Sequence, residues 1–280
     1  MEDRVDSLAV VIETGSTKEA RAAIRSLTSC ENKPRVFELL ISYLKHNSLY
    51  IRGDAALILK SFTEYQGAVL PLIEALADEE DWVVTNATNT LGYFKDERAI
   101  EPLFMLFFRE NDPTQMRHYY ARESLIEIGG EKVVEFALKD MKSENPNRNT
   151  ILILGDLAEE RAIELLIDRL DKLCSTSAYS LSKIGGEKAS KALQISLHNV
   201  LIHGSTPGYK IELINALARL EYDEAIETII KASKVRNEDV KISVVQALGK
   251  FGGDRSIEAL KRLRKDKSKK VKQAVNKLLD

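Results

Sequence analysis

The stretch ATNTLGYFKDERAIEPL, residues 87–103, returns sixty-three residues later as TILILGDLAEERAIELL, residues 150–166. Leu91, Gly92, Glu97, Arg98, Ala99, Ile100, Glu101 and Leu103 recur as Leu154, Gly155, Glu160, Arg161, Ala162, Ile163, Glu164 and Leu166. Self-similarity of this kind marks a repeat architecture, in which each unit buries its apolar face only against its neighbours. With Leu91 as reference, equivalent helix ends fall at Leu27, Leu59, Leu91, Leu125, Leu154, Leu181, Leu217, Leu248 and Leu279, in steps of 32, 32, 34, 29, 27, 36, 31 and 31 residues. Such intervals hold two short antiparallel helices and two turns. The sequence predicts an all-α solenoid of about nine helix pairs, filling residues 1–280 as one domain.

Within a unit the first helix carries apolar residues at helical spacing, such as Ile100, Leu103, Phe104 and Phe107, or Ile163, Leu166, Ile167 and Leu170. The second helix ends at the reference leucine. Four residues before it stands a small or modest side chain: Ala23, Ala55, Ala87, Ala121, Thr150, Ser177, Leu213, Val244 or Val275. Stacked helices need that restraint in size. Gly92, Gly129, Gly130, Gly155, Gly185, Gly186, Gly249, Gly252 and Gly253 are expected to end second helices in the left-handed conformation. Pro71 and Pro102 stand at matching places in first helices, where a kink or restart is expected. The longest step contains HNVLIHGSTPGY, residues 198–209, and predicts a change of curvature or a projecting loop near Gly204 to Gly208.

These features resemble HEAT repeats of the phycobilisome-lyase-like subtype, whose units read A-x-x-x-L-G-x-x-x-D-x-x-A-I-x-x-L. Residues 83–110 carry the pattern best, with 147–170 and 240–263 close behind, and weaker copies elsewhere extend the resemblance along the chain. It implies a right-handed α-α superhelix and, for function, a scaffold or binding module. It also brings a bilin lyase or chaperone and an alkylpurine DNA glycosylase-like nucleic-acid binder into view. A di-iron hydroxylase of this family needs paired His-Glu motifs, whereas His46, His118, His198 and His203 are followed by Asn, Tyr, Asn and Gly. That enzyme is not expected.

Composition bounds the chemistry further. Hydrophobic residues make up 44% and charged residues 30%, as in a water-soluble helical chain. The start, MEDRVDSLAVV, lacks the basic flank of a secretory signal, and no run approaches the roughly 20 apolar residues of a membrane span, so a cytoplasmic location is expected. Cys30 and Cys174 have no metal-binding spacing and read as buried or incidental. No G-x-S-x-G, phosphate loop or dinucleotide glycine pattern occurs. No catalytic residue, metal or cofactor is predicted.

Second helices line the concave side of a HEAT-like superhelix, as the resemblance implies, so positions two and five before each reference leucine should face the groove. They are Asp54 and Leu57, Asn86 and Asn89, Tyr120 and Glu123, Asn149 and Leu152, Thr176 and Tyr179, Glu212 and Asn215, Ser243 and Gln246. With Tyr119, Arg122 and Arg148 beside it, the middle of this stripe offers aromatic faces, amides and a few cations. The predicted partner-binding residues are Asn86, Asn89, Tyr119, Tyr120, Arg122, Arg148, Asn149, Tyr179, Glu212 and Asn215, for a protein or peptide; an ordinary polar face is the other reading. LFMLFF, residues 103–108, reads as core or as an exposed docking patch, and Trp82, after the acidic turn 78–81, as a cover for a helix pair or a partner contact.

The C-terminal segment 261–277 holds nine Lys/Arg and one Asp. Subtracting its net +8 from the chain's −2 leaves −10 on the rest. Lys261, Arg262, Arg264, Lys265, Lys269, Lys270 and Lys272 form a basic end that could meet nucleic-acid phosphates or an acidic protein, or that only keeps a terminal repeat soluble.

Overall fold

The computed structural model of the chain describes residues 4–108, 116–171 and 174–279. Among the described residues every regular element is helical, with 18 α-helices and short 3₁₀ turns, as nine pairs require. The chain divides into two compact units, Met1–Lys139 and Asp140–Asp280.

The first unit is built from α1 (Arg4–Thr14), α2 (Thr17–Ser26), α3 (Lys33–Tyr43), α4 (Leu49–Ile58), α5 (Val69–Ala75), α6 (Asp81–Phe94), α7 (Ile100–Met105), α8 (Met116–Ile128) and all but the last two residues of α9 (Gly130–Met141). The second helices stack in the order α2, α4, α6, α8, while α1, α3, α5 and α7 each pack on the second helix of their own pair. The second unit repeats this scheme with α10 (Arg148–Asp156), α11 (Ile163–Ile167), α12 (Cys174–Ile184), α13 (Gly186–His203), α14 (Pro207–Leu220), α15 (Ile226–Ala232), α16 (Glu238–Phe251), α17 (Gly253–Leu263) and α18 (Lys269–Leu279). Here α10, α12, α14, α16 and α18 stack.

The reference leucines are the centre of each layer. Leu27, Leu59, Leu91, Leu125, Leu154, Leu181, Leu217 and Leu248 are all fully buried, each contributing on the order of 2 kcal/mol by removal from water. Leu279, at the end of α18, is half-buried. All nine residues four positions earlier are buried as well. Polar rungs join successive layers: Thr90 Oγ1 donates to the Ala56 carbonyl at 2.7 Å, Ser124 Oγ to Thr88 at 2.8 Å, and Ser180 Oγ to Ile151 at 2.9 Å. In each case the hydroxyl one residue before a reference leucine meets the carbonyl three residues before the preceding one.

Glycines prove to have two separate roles. Gly129, Gly185 and Gly252, four residues past their leucines, have φ of 61°, 80° and 65° and stop their helices as expected. At the same register Lys95, Ala158 and Glu221 hold φ of 51°, 53° and 53°, so the backbone bend is kept where glycine is absent. Gly92, Gly155 and Gly249 do not stop helices. They lie within α6, α10 and α16, where a β-carbon would stand 2.9 Å from Ser124 Cα, 2.7 Å from Ser180 Cα and 2.7 Å from Leu278 Cδ1.

The recurring acid-Arg motif has a local cause. Asp96 Oδ1 accepts the Arg98 backbone N–H at 2.8 Å and its Nε at 2.9 Å, opening a 3₁₀ turn before α7. Glu159 does the same for Arg161 at 3.0 and 2.7 Å before α11. The guanidinium and N–H of the arginine hold each carboxyl below the usual carboxylate range. Pro71 and Pro102 are each the third residue of an α-helix that follows a 3₁₀ turn, so their missing N–H falls in a first turn.

Two further expectations are corrected. Of the two outcomes expected of the long step, the projecting loop is not found: α13 runs for 18 residues, and the three-residue link Gly204 to Thr206 leads straight into α14 at Pro207. Three of the positions five before the leucines do not face outward as the stripe supposed: Asp54, Asn86 and Ser243 are buried. Asp54 instead takes Arg21 at 2.8 Å and Arg25 at 3.1 Å. Leu103, Phe104, Leu106 and Phe107 are core, while Met105 and Phe108 are exposed. Cys30 is buried and free; the Cys174 side chain lies outside the described residues.

Two part-buried ion pairs repeat across layers. Arg52 grips Asp78 with Nε–Oδ2 2.6 Å and Nη2–Oδ1 2.9 Å, and Lys241 Nζ lies 2.6 Å from Asp266. Each carboxylate also accepts a backbone N–H, from Glu80 at 3.0 Å and Ser268 at 2.8 Å.

Candidate functional site

The α6 and α8 faces of the first unit carry two adjoining hollows. Their side chains come from one stripe on each helix: Trp82, Asn86, Asn89 and Tyr93 on α6, and Met116, Tyr120, Glu123 and Glu127 on α8. Spacings of four, three and four residues keep such a set on one helical face.

The first hollow, about 280 Å³, is lined by Asn89, Gly92, Tyr93, Tyr119, Tyr120, Glu123, Ser124 and Glu127. The Gly92–Ser124 approach makes its floor, and the long side chains around that contact stand up as walls. Tyr119 and Tyr120 meet edge to face at 5.3 Å. The Arg122 guanidinium lies 5.8 Å from the Tyr119 centroid and bonds Glu123 Oε1 at 3.1 Å, Lys60 Nζ lies 5.2 Å over Tyr93, and Lys95 Nζ is 3.4 Å from Glu127.

The second hollow, about 400 Å³, is lined by Leu57, Asp81, Trp82, Thr85, Asn86, Asn89, Met116 and Tyr120. Trp82 is the second residue of α6 rather than part of the turn, and its indole lies against Gly53 of α4, where a β-carbon would be 2.2 Å from Cδ1. Trp82 is 41% exposed. Asn86 Nδ2 donates to the Trp82 carbonyl at 2.9 Å, and Asp81 is paired with Arg117. The surface offers aromatic and apolar walls with amide groups at the centre, suited to gripping side chains of another chain. Among the described residues no group of three or more His, Cys, Asp or Glu is placed to hold a metal.

Comparison with known proteins identifies the architecture. Residues 5–89 and 195–280, more than half of the chain, match the family of HEAT repeats. The chain belongs to the HEAT-repeat family. Solved structures similar to this HEAT protein include importin beta, at 12% identity and TM-score 0.69 over 97% of this chain and 48% of the importin. Kap95p in its complex with RanGDP shows 11% identity and TM-score 0.66 over 98% and 46% of the two chains. Kap95 in complex with Nup1 shows 11% identity and TM-score 0.64 over 99% and 47%. The HEAT protein therefore spans about half the length of these importins, and the likeness establishes an all-α HEAT solenoid fold. No curated protein matches the chain. Among the described residues no helix is long and apolar enough to cross a membrane.

Of the ten residues singled out in the sequence, Asn86, Asn89, Tyr119 and Tyr120 line the hollows, and Arg122 lies on the Tyr119 ring. The other five lie on the second unit of the HEAT protein. Arg148 is exposed at the start of α10, and Asn149 gives its amide to Asn147 Oδ1 at 3.2 Å as part of that helix cap. Tyr179 on α12 is faced by Arg219 at 5.2 Å and Lys183 at 6.0 Å, while Glu212 and Asn215 are half-buried on α14. Lys261, Arg262, Arg264, Lys265, Lys269, Lys270 and Lys272 are all exposed, with Lys270 2.9 Å from Glu238 and Arg262 paired with Glu258.

Met116, Tyr93 and Glu127 were not among the predicted contacts, and Trp82 was read only separately, as a cover for a helix pair or a partner contact. They stand nine before and two after the reference leucines, on the same stripe as the positions that were counted. Extending the count by one turn in each direction would have found them.

Proposed function

We propose that this HEAT protein is a non-catalytic scaffold that holds a segment of a partner protein on the α6/α8 face of its first unit. The observation that carries this is the pair of adjoining hollows that share Asn89 and Tyr120 and expose Trp82, Met116, Tyr93 and Tyr119. Exposed aromatics set around amides are a common composition for protein contact sites. Importins of the same fold have been captured with protein partners, Kap95p with RanGDP and Kap95 with Nup1. Arg148, Asn149, Tyr179, Glu212 and Asn215 are proposed as further contacts on the second unit. The test is affinity capture from the native host, comparing the wild-type chain with an Asn89→Ala, Tyr120→Ala variant of unchanged helix content. Loss of one or more specific partners is expected; an identical set of captured proteins refutes the assignment.

A second reading places a nucleic acid on the basic end, and it is favoured by the exposure of the seven cations named above. Low-salt mobility-shift assays with those residues neutralised test it, since phosphate binding should fall steeply with lost charge and added salt.

A further inference from the structure

We infer that the hollow floored by Gly92 and Ser124 takes a lysine or arginine side chain of the partner segment, beside an apolar side chain seated against Trp82. The inference rests on the docking face proposed above and names the chemistry it selects.

The smaller hollow is built for a cation. Three tyrosine rings, 93, 119 and 120, and two carboxylates, Glu123 and Glu127, converge on it. Ring faces attract ammonium and guanidinium groups, and carboxylates at the rim add charge attraction. The protein already shows the preference with its own side chains: Lys60 sits over Tyr93 and Arg122 over Tyr119, while Lys95 and Arg122 reach the two carboxylates. Lys95 and Glu127 are both well exposed, at 60% and 65%, and exposed pairs of this kind are weak. An incoming cation can take the place of Lys95 beside Glu127 at little cost. An anionic side chain would meet both carboxylates at close range. A purely apolar one would strip water from those carboxylates without replacing it.

The larger hollow makes the opposite selection. Its single carboxylate, Asp81, is committed to Arg117, and Leu57, Trp82, Met116 and the Tyr120 ring form its walls. Because Asn89 and Tyr120 border both hollows, near-neighbour side chains of one extended segment can fill the two together, with the Asn89 amide between them to meet the segment's backbone.

Trp82 is the only tryptophan in the chain, so its emission reports on the face directly. A display library of random nonapeptides is panned against the full-length protein, and binders that change Trp82 emission are synthesised. These are expected to share a Lys or Arg close to an apolar residue. Replacing that basic residue by norleucine should weaken binding roughly 10-fold, and Glu123→Gln with Glu127→Gln should weaken the parent peptide similarly while sparing the norleucine peptide. Binders that change Trp82 emission but carry no basic preference, or ignore the two glutamine substitutions, overturn this inference and leave the docking face standing. If no peptide perturbs Trp82, the docking face itself is refuted and the cation subsite with it.

Discussion

Gly155 and Ser180 touch so closely that a β-carbon on the glycine would lie 2.7 Å from the serine Cα, while Ser180 Oγ donates to Ile151 at 2.9 Å. The short contact and the hydrogen bond set the separation of α10 and α12 together. Gly155→Ala is therefore expected to destabilise the second unit by about 1–3 kcal/mol, the usual range for overpacking. Gly208, near the start of α14, has nothing within 4 Å of the place a β-carbon would take, so Gly208→Ala should leave stability unchanged or raise it by up to ~1 kcal/mol. Urea unfolding of the two variants checks the contrast; equal midpoints would contradict it.

Ala158 holds φ of 53° at the end of α10, a left-handed conformation that disfavours residues with a β-carbon by roughly 1–2 kcal/mol. Glycine removes that strain but adds freedom to the unfolded chain, about 0.5–1 kcal/mol. Ala158→Gly should consequently gain a few tenths to about 1 kcal/mol. A lower melting temperature for this variant would show that the bend is unstrained.

Asp266 is held below the usual carboxylate range by the Lys241 ammonium and by the Ser268 N–H. For Asp78, burial opposes the charge, but the Arg52 fork, the Glu80 N–H and the arginine's charge outweigh it and the carboxyl is again lowered. A carboxyl lowered by folding stabilises the protein above its unfolded value and ceases to do so as pH falls through its folded value. Both units should thus weaken on acidification below the normal carboxylate range. Asp266→Asn should be less stable at neutral pH and should flatten the acid limb of the second unit. Urea midpoints followed from neutral pH downward test this, and parallel curves for wild type and variant would rule the pair out as a source of pH dependence.

Gly53 leaves the space that the Trp82 indole occupies, with Cδ1 and Nε1 at 2.2 and 2.3 Å from a would-be β-carbon. Because the indole is partly exposed, Gly53→Ala should swing it outward instead of disrupting α4. The expected signature is a shift in tryptophan emission and loss of peptide binding at the larger hollow, with far-ultraviolet dichroism unchanged. Unaltered emission would mean that the indole is positioned by something other than Gly53.

The helical register was legible because every layer repeats the same demand: a leucine at the centre and a small or modest side chain one turn before it. Gly92 and Gly155 were misread because glycine serves close packing and helix termination equally well, and only the neighbouring helix distinguishes them. The bend itself falls three residues later, where Lys95 and Ala158 give no compositional signal. Asn89 and Tyr120 could be found by counting from Leu91 and Leu125, yet Trp82 owes its place to Gly53, a residue 29 positions away whose relevance no local pattern announces. The buried Asp54 was missed for a similar reason, since its arginine partners belong to the preceding layer.

The polar rungs and glycine contacts also limit how such a chain can be rearranged. Gly92 accepts Ser124 from the following repeat and Gly155 accepts Ser180, whereas the equivalent position ahead of Leu154 is Ile153. Splicing the Ile153 repeat directly behind Gly92 would set a branched side chain against a helix that has no room for it and would leave the Thr88 carbonyl without its hydroxyl. Repeats of this protein are consequently not interchangeable tiles: recombination or engineered duplication is tolerated only at borders whose two facing residues agree in size.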